Sequence, residues 1–583
     1  MNTTERDTMA PQDDETDDDQ LLRDRIRENP TPALYWLAGA MVLVLLEFSR
    51  WIRGFLELAS AAGFVLGGAA TVPGWVGGNV AEMFGTFAGA LVADTVAIVL
   101  LFVVAVLLHT FVVPWNVVGR FDLAVTRRQR IFLNRVALTG VLAVIAGVLA
   151  FTPLGTFVRN EVAFFASLLD SLGSLPSLTS REVIPNMGHR TPDGGWEGTF
   201  LGLSPAWAWL IRFLLVWVYA FACLVWAWKG FNVYRTHYRR ADWTPTDDTI
   251  RRLRGHKWGL FGLFVVFGFF ILGAFAPAIA PVPLEHNVIQ PFNSEYEFEY
   301  LTDDGEIATI THGSANLNTR SDGGESTVVP LSYDQYDRWA PLGTTPRGQD
   351  MLTHLAYGAR TSLIIGLTTI GLAASMAIAL SLITAYYKGL IDILVVLTSD
   401  TIIAIPVLLL VMMLLVLFRG ADHPLAQPMD GGLLLALIFA FAYWPGMWRT
   451  LRGPSLQVAE EEWVDAAKSF GQRPLVTMRK HMAPYIIGYI MIYASLLVGG
   501  VVISVAALTF LGLGISPPTP EWGRLIDSGQ PYIATNSWHV ATISGLMITL
   551  IVLGFNALGD GIRDAIDPEA DIEGGAAATG GGG

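Results

Sequence analysis

The sequence predicts an all-α polytopic membrane protein of about ten transmembrane helices, four extra N-terminal spans followed by a six-span core, with a small extracellular β-hairpin insertion. Three observations predict it. Several apolar runs reach the ~20 residues that a helix needs to cross a bilayer, in a chain that is 52% hydrophobic and only 15% charged. Lys and Arg gather in alternate loops, as they do on the cytoplasmic side of a membrane. One long polar island, Gly453–Pro484, interrupts the apolar pattern of the second half.

Residues 1–32 read as an acidic, disordered cytoplasmic tail. Asp13, Asp14, Glu15, Asp17, Asp18 and Asp19 carry much of the net charge of -14. Such a segment cannot bury enough apolar surface to fold. The acidity fits a high-salt habitat and a merely acidic tail equally. Arg23, Arg25 and Arg27 precede a first span near Ala33–Phe48. Ala59-Ser60-Ala61 faintly resembles a cleavage site, but the leader is acidic and Arg50, Arg53 and Glu57 intervene, so the span reads as uncleaved. Residues 55–80, rich in Gly and Ala around Pro73, form either an interfacial or a re-entrant piece.

Spans follow near Ala88–Val113, Val136–Leu154 and Ala206–Trp228. A basic loop with Arg127, Arg128 and Arg130 lies between the first two of these. An extracellular stretch, 156–204, with a turn-rich centre at Thr191–Gly195, precedes the last. These spans make a four-span extension over 33–228. The segment 229–257 carries Lys229, Arg235, Arg239, Arg240, Arg251, Arg252, Arg254 and Lys257, and reads as a basic cytoplasmic linker at a domain boundary.

The second domain covers 258–569 and opens with a span near Trp258–Ala280. An extracellular insertion over 281–345 follows. In it Tyr296, Phe298 and Tyr300 alternate with Glu295, Glu297 and Glu299, and Asp304-Gly305 precedes Ile307, Thr309 and Thr311. Alternation on both sides of Asp-Gly predicts a β-hairpin. Five more spans lie near 361–386, 390–418, 432–449, 485–513 and 538–559, and a Gly/Ala-rich tail ends the chain at 570–583. With the N-terminus inside, parity puts 120–135, 229–257 and 453–484 all in the cytoplasm, and each is independently basic. The chain therefore reads as a multi-pass protein of the cell membrane with both termini cytoplasmic.

Candidate chemistry is sparse. Cys223, the sole cysteine, lies in an apolar run, which excludes an intrachain disulfide and a thiol metal site. No Gly-Lys dipeptide occurs, hence no P-loop. No His, Cys and carboxylate cluster has metal-ligand spacing, and no nucleophile sits with a base. Catalytic, cofactor and metal sites are expected to be none, and the chain is not expected to be an enzyme. Basic residues hug the span ends, which disfavours nucleic acid. Asp400 lies inside the 390–418 run, six residues before Pro406. A carboxylate at the bilayer centre costs ~2.5–3.5 kcal/mol on insertion scales, so it faces protein or water. It either lines a pathway or holds a helix broken at Pro406. It shows no partner in the sequence, whereas a self-contained secondary transporter or channel needs paired intramembrane groups or broken helices in both halves. Gly499, Gly500, Gly512 and Gly514 would let helices pack closely.

In the island, Pro454 suits the first position of a helix and Gly471 the left-handed stop after it. Leu456, Trp463, Ala467 and Phe470 recur on one face, with Glu460, Glu461, Glu462 and Lys468 largely off it. Pro474 can open a second helix. The island reads as helix, turn, helix outside the bilayer, framed by Arg449, Arg452, Arg473, Arg479 and Lys480.

Asp465-Ala466-Ala467, then Gly471, then Pro484 resembles the "EAA" loop of ABC importer permeases, departing from it at His481 and Ala483. Further blocks resemble the C-type permease subunit of dipeptide, oligopeptide and nickel ABC importers. They are Leu342-Gly343-Thr344 with Gly348 and Asp350, Tyr357-Gly358-Ala359-Arg360, Leu508–Gly514 with Pro517–Pro520 and Trp522-Gly523, and Asn556–Gly561 with Arg563-Asp564. Thr345 and Gln349 depart from that pattern and leave the hydrogen bonding of the outer turn open. The resemblance covers about 250–570. It implies the permease subunit of an ATP-driven, binding-protein-dependent importer, for di- or oligopeptides first and for nickel or oligosaccharides as alternatives. It implies ATPase coupling through Glu461, Glu462, Asp465, Ala466, Ala467 and Gly471. It implies ATP and Mg held by partner chains. The implied partners are a homologous second permease, two cytoplasmic ATPases, an extracellular solute-binding protein and membrane lipid.

Overall fold

Apolar length decides most of the architecture. In the structure, a computed structural model that describes residues 22–111, 127–241, 243–287, 296–324, 327–420 and 423–566, the chain is helical and polytopic. Eight of its helices are long and apolar enough to cross a membrane, or up to 10 if each bent pair is one span. The acidic run Asp13–Asp19 and the tail 570–583 lie outside the described residues.

The extension begins with α1 (Leu22–Glu28) and α2 (Thr31–Leu46), bent by 100° at Asn29-Pro30. The tail is thus helical from Leu22, ten residues earlier than its composition suggests. Helix α3 (Phe48–Phe84) is a single 37-residue rod. It absorbs the 55–80 stretch without the chain reversal that a re-entrant loop needs. Helix α4 (Thr86–Phe111) folds back along it, and a Cβ on Gly89 would sit 2.4 Å from the Gly77 carbonyl oxygen. Then come α5 (Arg127–Phe151) and α6 (Pro153–Gly173). The 156–204 stretch therefore opens as a helix, with Pro153 in its first turn. Its turn centre is as expected, a hairpin of β1 (His189–Arg190) and β2 (Trp196–Glu197). Helix α7 (Pro205–Val233) ends the extension.

Within the basic segment 229–257, the end of α7 and a wide turn, Tyr234–Tyr238, precede a helix that docks on the core. Thr244 and Asp247 form a capping box at the start of α8 (Pro245–Gly255). Helix α8 lies on the end of α20 (His539–Ile566): Arg252 donates to the Ala565 carbonyl at 3.1 Å, and His256 meets Asp564 at 3.0 Å.

The core domain opens with α9 (Lys257–Ala274) and α10 (Ala276–Ile279). The insertion holds the expected hairpin, β3 (Glu297–Leu301) against β4 (Ile307–Thr311), antiparallel with Phe298 opposite Ile310. Helix α11 (His312–Asn318) and a small pair, β5 (Ser332–Tyr333) and β6 (Trp339–Ala340), complete it. His189 of the extension lies between Glu197, at 3.7 Å, and Glu299, at 3.5 Å, where the outer loops of the two halves meet. The turn before α12 (Met351–Tyr387) is satisfied despite Thr345 and Gln349. The Thr345 amide donates to the Gln349 carbonyl at 2.8 Å, and the Asp350 carboxylate caps α12 by accepting from the Thr353 amide at 2.7 Å.

Helices α13 (Gly389–Ala404) and α14 (Val407–Gly420) meet at 87° across Pro406. Ile405 is extended there, as residues before proline tend to be. Helix α15 (Gly432–Ala459) leads to α16 (Glu462–Ser469) and α17 (Pro474–Thr477); α18 (Ala483–Phe510) and α19 (Trp522–Gly529) precede α20. The buried faces of α9, α12, α15, α18, α19 and α20 make one core around Trp448, Trp522, Phe269 and Phe439. Glycine does bring helices together, but not where the sequence suggests. The close crossing is α9 on α20, where a Cβ on Gly262 would sit 2.3 Å from the Leu558 nitrogen and one on Gly561 2.6 Å from the Gly259 Cα. Gly499 only approaches Val552 at 3.5 Å, Gly500 has no close neighbour, and Gly512 and Gly514 belong to the turn after α18.

Candidate functional site

The bundle has two polar ends. One carries the turn around α16 and is called the loop end; the other carries the β3–β4 hairpin. The loop end does not begin at Pro454. Trp448, Leu451, Ser455 and Ala459 form a buried stripe at helical spacing, so α15 continues through Pro454 to Ala459. The stripe outweighs the single hydrogen bond that an internal proline removes. The chain breaks at Glu460-Glu461 instead.

Helix α16 follows from its charges. Glu462 and Asp465 sit in its first turn and Lys468 in its last, each at the favoured end of the helix dipole. Val464 is its anchor, fully buried. The stop is a Schellman turn: the Gly471 amide donates to the Lys468 carbonyl at 3.0 Å and the Gln472 amide to the Ala467 carbonyl at 3.1 Å. Gly471 has φ +72, which a side chain with Cβ adopts only at a cost of about 1–2 kcal/mol. Pro474 opens α17 as expected, and the chain then passes through one wide turn, Met478–Met482, straight into α18.

Glu461, Glu462, Asp465 and Ala466 are exposed on this turn, Ala467 is half-buried, and Gly471 marks its tip. The expected apolar face is corrected. Trp463 is 42% exposed and stacks on Tyr485 with ring centroids 5.5 Å apart, while Phe470 is 91% exposed. Val464 takes the buried role that the spacing gave to Phe470. Two ties escaped the sequence because they need a partner distant along the chain. Lys388 meets Glu460 at 2.9 Å, and the Lys468 ammonium donates to the Ala459 carbonyl at 3.2 Å above the Tyr386 ring. The turn is thereby bound to α12 and α15.

Asp400 and Pro406 lie apart from the turn, on α13 and just beyond it. Asp400 is not alone: it ion-pairs with Arg449 of α15. One turn away along α15, Arg452 grips Asp392 with two hydrogen bonds, 2.9 and 2.6 Å. The lower arm of the bent span is therefore fastened to the helix that carries the turn. Arg449 and Arg452 tie α15 to α13 as well as framing the loop.

Residues 377–571 match the family described as "Binding-protein-dependent transport system inner membrane component", and residues 244–296 match "N-terminal TM domain of oligopeptide transport permease C". Residues before 244 lie outside both segments. The chain is similar to the dipeptide transport system permease protein DppC of Bacillus subtilis (strain 168), 29% identical over 331 residues, 57% of this chain and 88% of that protein. It is similar to DppC of Alkalihalophilus pseudofirmus, 28% identical over 56% of this chain and 90% of that protein. It is also similar to the glutathione transport system permease protein GsiD of Shigella dysenteriae serotype 1, 32% identical over 41% of this chain and 77% of that protein.

Proposed function

The chain belongs to the family of binding-protein-dependent transport system inner membrane components, and from that premise we propose that it admits di- or oligopeptides in an ATP-driven importer whose ATPase subunit docks on the α16 turn. The single observation that carries the docking is the exposed Phe470 beside the small, exposed Ala466, on a helix stopped by a rigid Gly471 turn. Burying a phenylalanine is worth ~1.5–3 kcal/mol, a gain left for a second protein to realise. Alanine at 466 leaves room for its surface, and Glu461, Glu462 and Asp465 supply polar contacts around the rim.

The loop end then faces the cytoplasm, both termini lie there, and the hairpin end receives a solute-binding protein. Two ATPases bind ATP and Mg and close on each other, and a second, homologous permease completes the pathway. Closure moves α16. Lys388–Glu460 and Lys468 pass the movement to α12 and α15, and Asp392–Arg452 and Asp400–Arg449 pass it to α13. The break at Pro406 gives that span a joint at which to answer. Asp400 here holds the broken helix. The names of the relatives favour peptides over nickel or oligosaccharides.

The bent α13–α14 span with its ion pair is also what a self-contained transporter would need in one half. ATP dependence separates the two readings. The purified complex in proteoliposomes should take up labelled trialanine only with ATP, and Ala466→Trp should abolish uptake while the chain remains inserted. Overpacking a close contact costs ~1–3 kcal/mol, enough to disfavour docking. Undiminished uptake by Ala466→Trp would remove the turn from the mechanism.

A further inference from the structure

At the hairpin end, the two halves line a half-open cavity of about 1430 Å³. The core supplies the start of α12, the turn carrying Arg347, and the loop from Pro517 into α19. The end of α9, residues 284–287 and the start of α15 line it too, and the extension adds residues 54–61 of α3, with Gly54, Glu57, Leu58 and Ala61 among the lining residues. No sequence motif points to this wall.

Helix α3 is held across the opening at successive points. The Arg50 guanidinium lies 4.5 Å above the Phe275 ring at the end of α9. Glu57 ion-pairs with Arg360 of α12. Gly68 lies under Leu425, and Trp75 stacks on Phe418 of α14 with centroids 5.5 Å apart and planes 13° from parallel. The helix thus runs over the core from α9 past α12 to α14. Among these fastenings, only Glu57–Arg360 lies at the cavity itself.

The lining has the chemistry of a zwitterion. Arg347, Arg360 and Arg524 present guanidinium groups, and Glu57, Glu285 and Asp527 present carboxylates, while Leu363, Leu367 and Leu433 supply apolar wall between them. Guanidinium matches a carboxylate in two-pronged geometry, and carboxylates receive an ammonium. Drug-sized ligands occupy pockets of ~300–1,000 Å³, so this volume suits a short peptide better than a single amino acid.

We infer that this cavity is a holding site for a short peptide with free amino and carboxyl ends, and that α3 of the extension, latched by Glu57 on Arg360, is its outer wall. The inference rests on the peptide-importer reading for its ligand class. An arriving peptide carboxylate competes with Glu57 for Arg360, so occupation of the site and the position of α3 are coupled.

The test uses the full chain with its partners, Cys223→Ala, and a reporter cysteine at Ser528→Cys in the lining. A membrane-impermeant maleimide is applied from outside. Trialanine should slow labelling about tenfold at saturation, whereas N-acetyl-trialanine amide should not. Glu57→Arg should speed labelling and remove the protection, and Glu57→Arg combined with Arg360→Glu should restore it. Labelling indifferent to trialanine overturns the holding site. Protection unchanged in Glu57→Arg overturns α3 as its wall. Uptake of labelled trialanine is followed in parallel: protection without ATP-dependent uptake rejects the importer reading and leaves the site standing, and uptake without protection rejects the site alone.

Discussion

Only 12% of the α4 window and 11% of the α5 window are buried within the protein, against 78% for α15 in the core domain. The α4 and α5 windows are more apolar than that of α15, so the difference lies in what their apolar surfaces meet. In the core, side chains meet each other. In the extension, Leu91, Ile98, Val144 and Ile145 point outward to where lipid would lie. Lipid tails are as apolar as leucine, so a membrane helix gains little from burial alone; close packing and hydrogen bonds hold helices together. The core has such packing along its helices. The extension is attached by a small apolar cluster, in which Val216, Tyr219 and Ala220 of α7 meet Ile271, Phe275 and Ile279, and by polar points, among them Arg212 of α7, which donates to the Ala278 carbonyl at 2.7 Å and the Ala280 carbonyl at 3.1 Å.

Substitutions can break this contrast, the largest effect first. Trp522 is fully buried, and its indole N–H donates to the Leu355 carbonyl at 2.9 Å. Trp522→Ala should cost about 3–5 kcal/mol, while Leu91→Ala on α4 should shift the melting of the detergent-solubilised protein within experimental error. Equal losses from both would mean that the extension is packed as tightly as the core. Gly262→Val comes next, placing branched carbons against the backbone of α20 at a cost of at least ~1–3 kcal/mol. Gly500→Val, with open space around it, should be silent.

A smaller effect belongs to Glu521, which caps α19 by accepting from the Gly523 amide at 2.6 Å and the Arg524 amide at 3.3 Å. Burial pushes its carboxyl up to about 7, against those two hydrogen bonds and the charge of Arg524. The unfolded chain titrates near ~4.3. The folded state therefore favours the proton, and the stabilisation that comes with it is complete below pH ~4.3 and lost as pH rises through about 7. Glu521→Gln keeps the acceptor oxygen and should flatten this part of the melting-versus-pH curve. Glu521→Ala should cost ~0.5–2 kcal/mol, as loss of a cap does. A curve with the same slope in Glu521→Gln would assign the titration to another group.

What the sequence made legible was local. The β3–β4 hairpin follows from alternation about Asp304-Gly305, and the α16 turn from acid, small and glycine residues within one stretch. Pro406 as a helix break needs only its neighbours. The misreadings each required a distant partner. Pro454 looked like a start because the stripe from Trp448 to Ala459 is visible only once the core behind it is known. Asp400 shows no partner in the sequence because Arg449 is 49 residues away, among the cations that frame the loop. The glycine crossing of α9 and α20 joins positions about 300 apart, and nothing near Gly259 identifies Gly561 as its mate. The lining role of residues 54–61 was hidden for the same reason.

The largest excision should have the smallest effect on mechanism. A chain beginning near Asp242 discards α1–α7, with four apolar spans, and keeps α8 with its capping box and its dock on α20. Removing an even number of spans preserves parity, and Arg251, Arg252, Arg254 and Lys257 stay beside the first remaining span to orient it. The glycine crossing, the Trp522 core, the ion pairs of α13 with α15 and the whole α16 turn are retained. What is lost is the apolar contact of Val216, Tyr219 and Ala220 with α9 and α10, the donors that Arg212 gives to the Ala278 and Ala280 carbonyls, and the α3 wall of the cavity. Those carbonyls lie at the end of the bundle, where water can replace the donors at a modest cost. The truncated chain should therefore insert, assemble with its ATPases and retain ATP-dependent uptake of trialanine, with a raised half-saturating concentration and a near-normal maximal rate. Its membrane level, checked by blotting, normalises the comparison. A truncated chain that reaches the membrane, binds its ATPases and moves no peptide at any concentration would place the extension inside the transport path and erase the division between the halves.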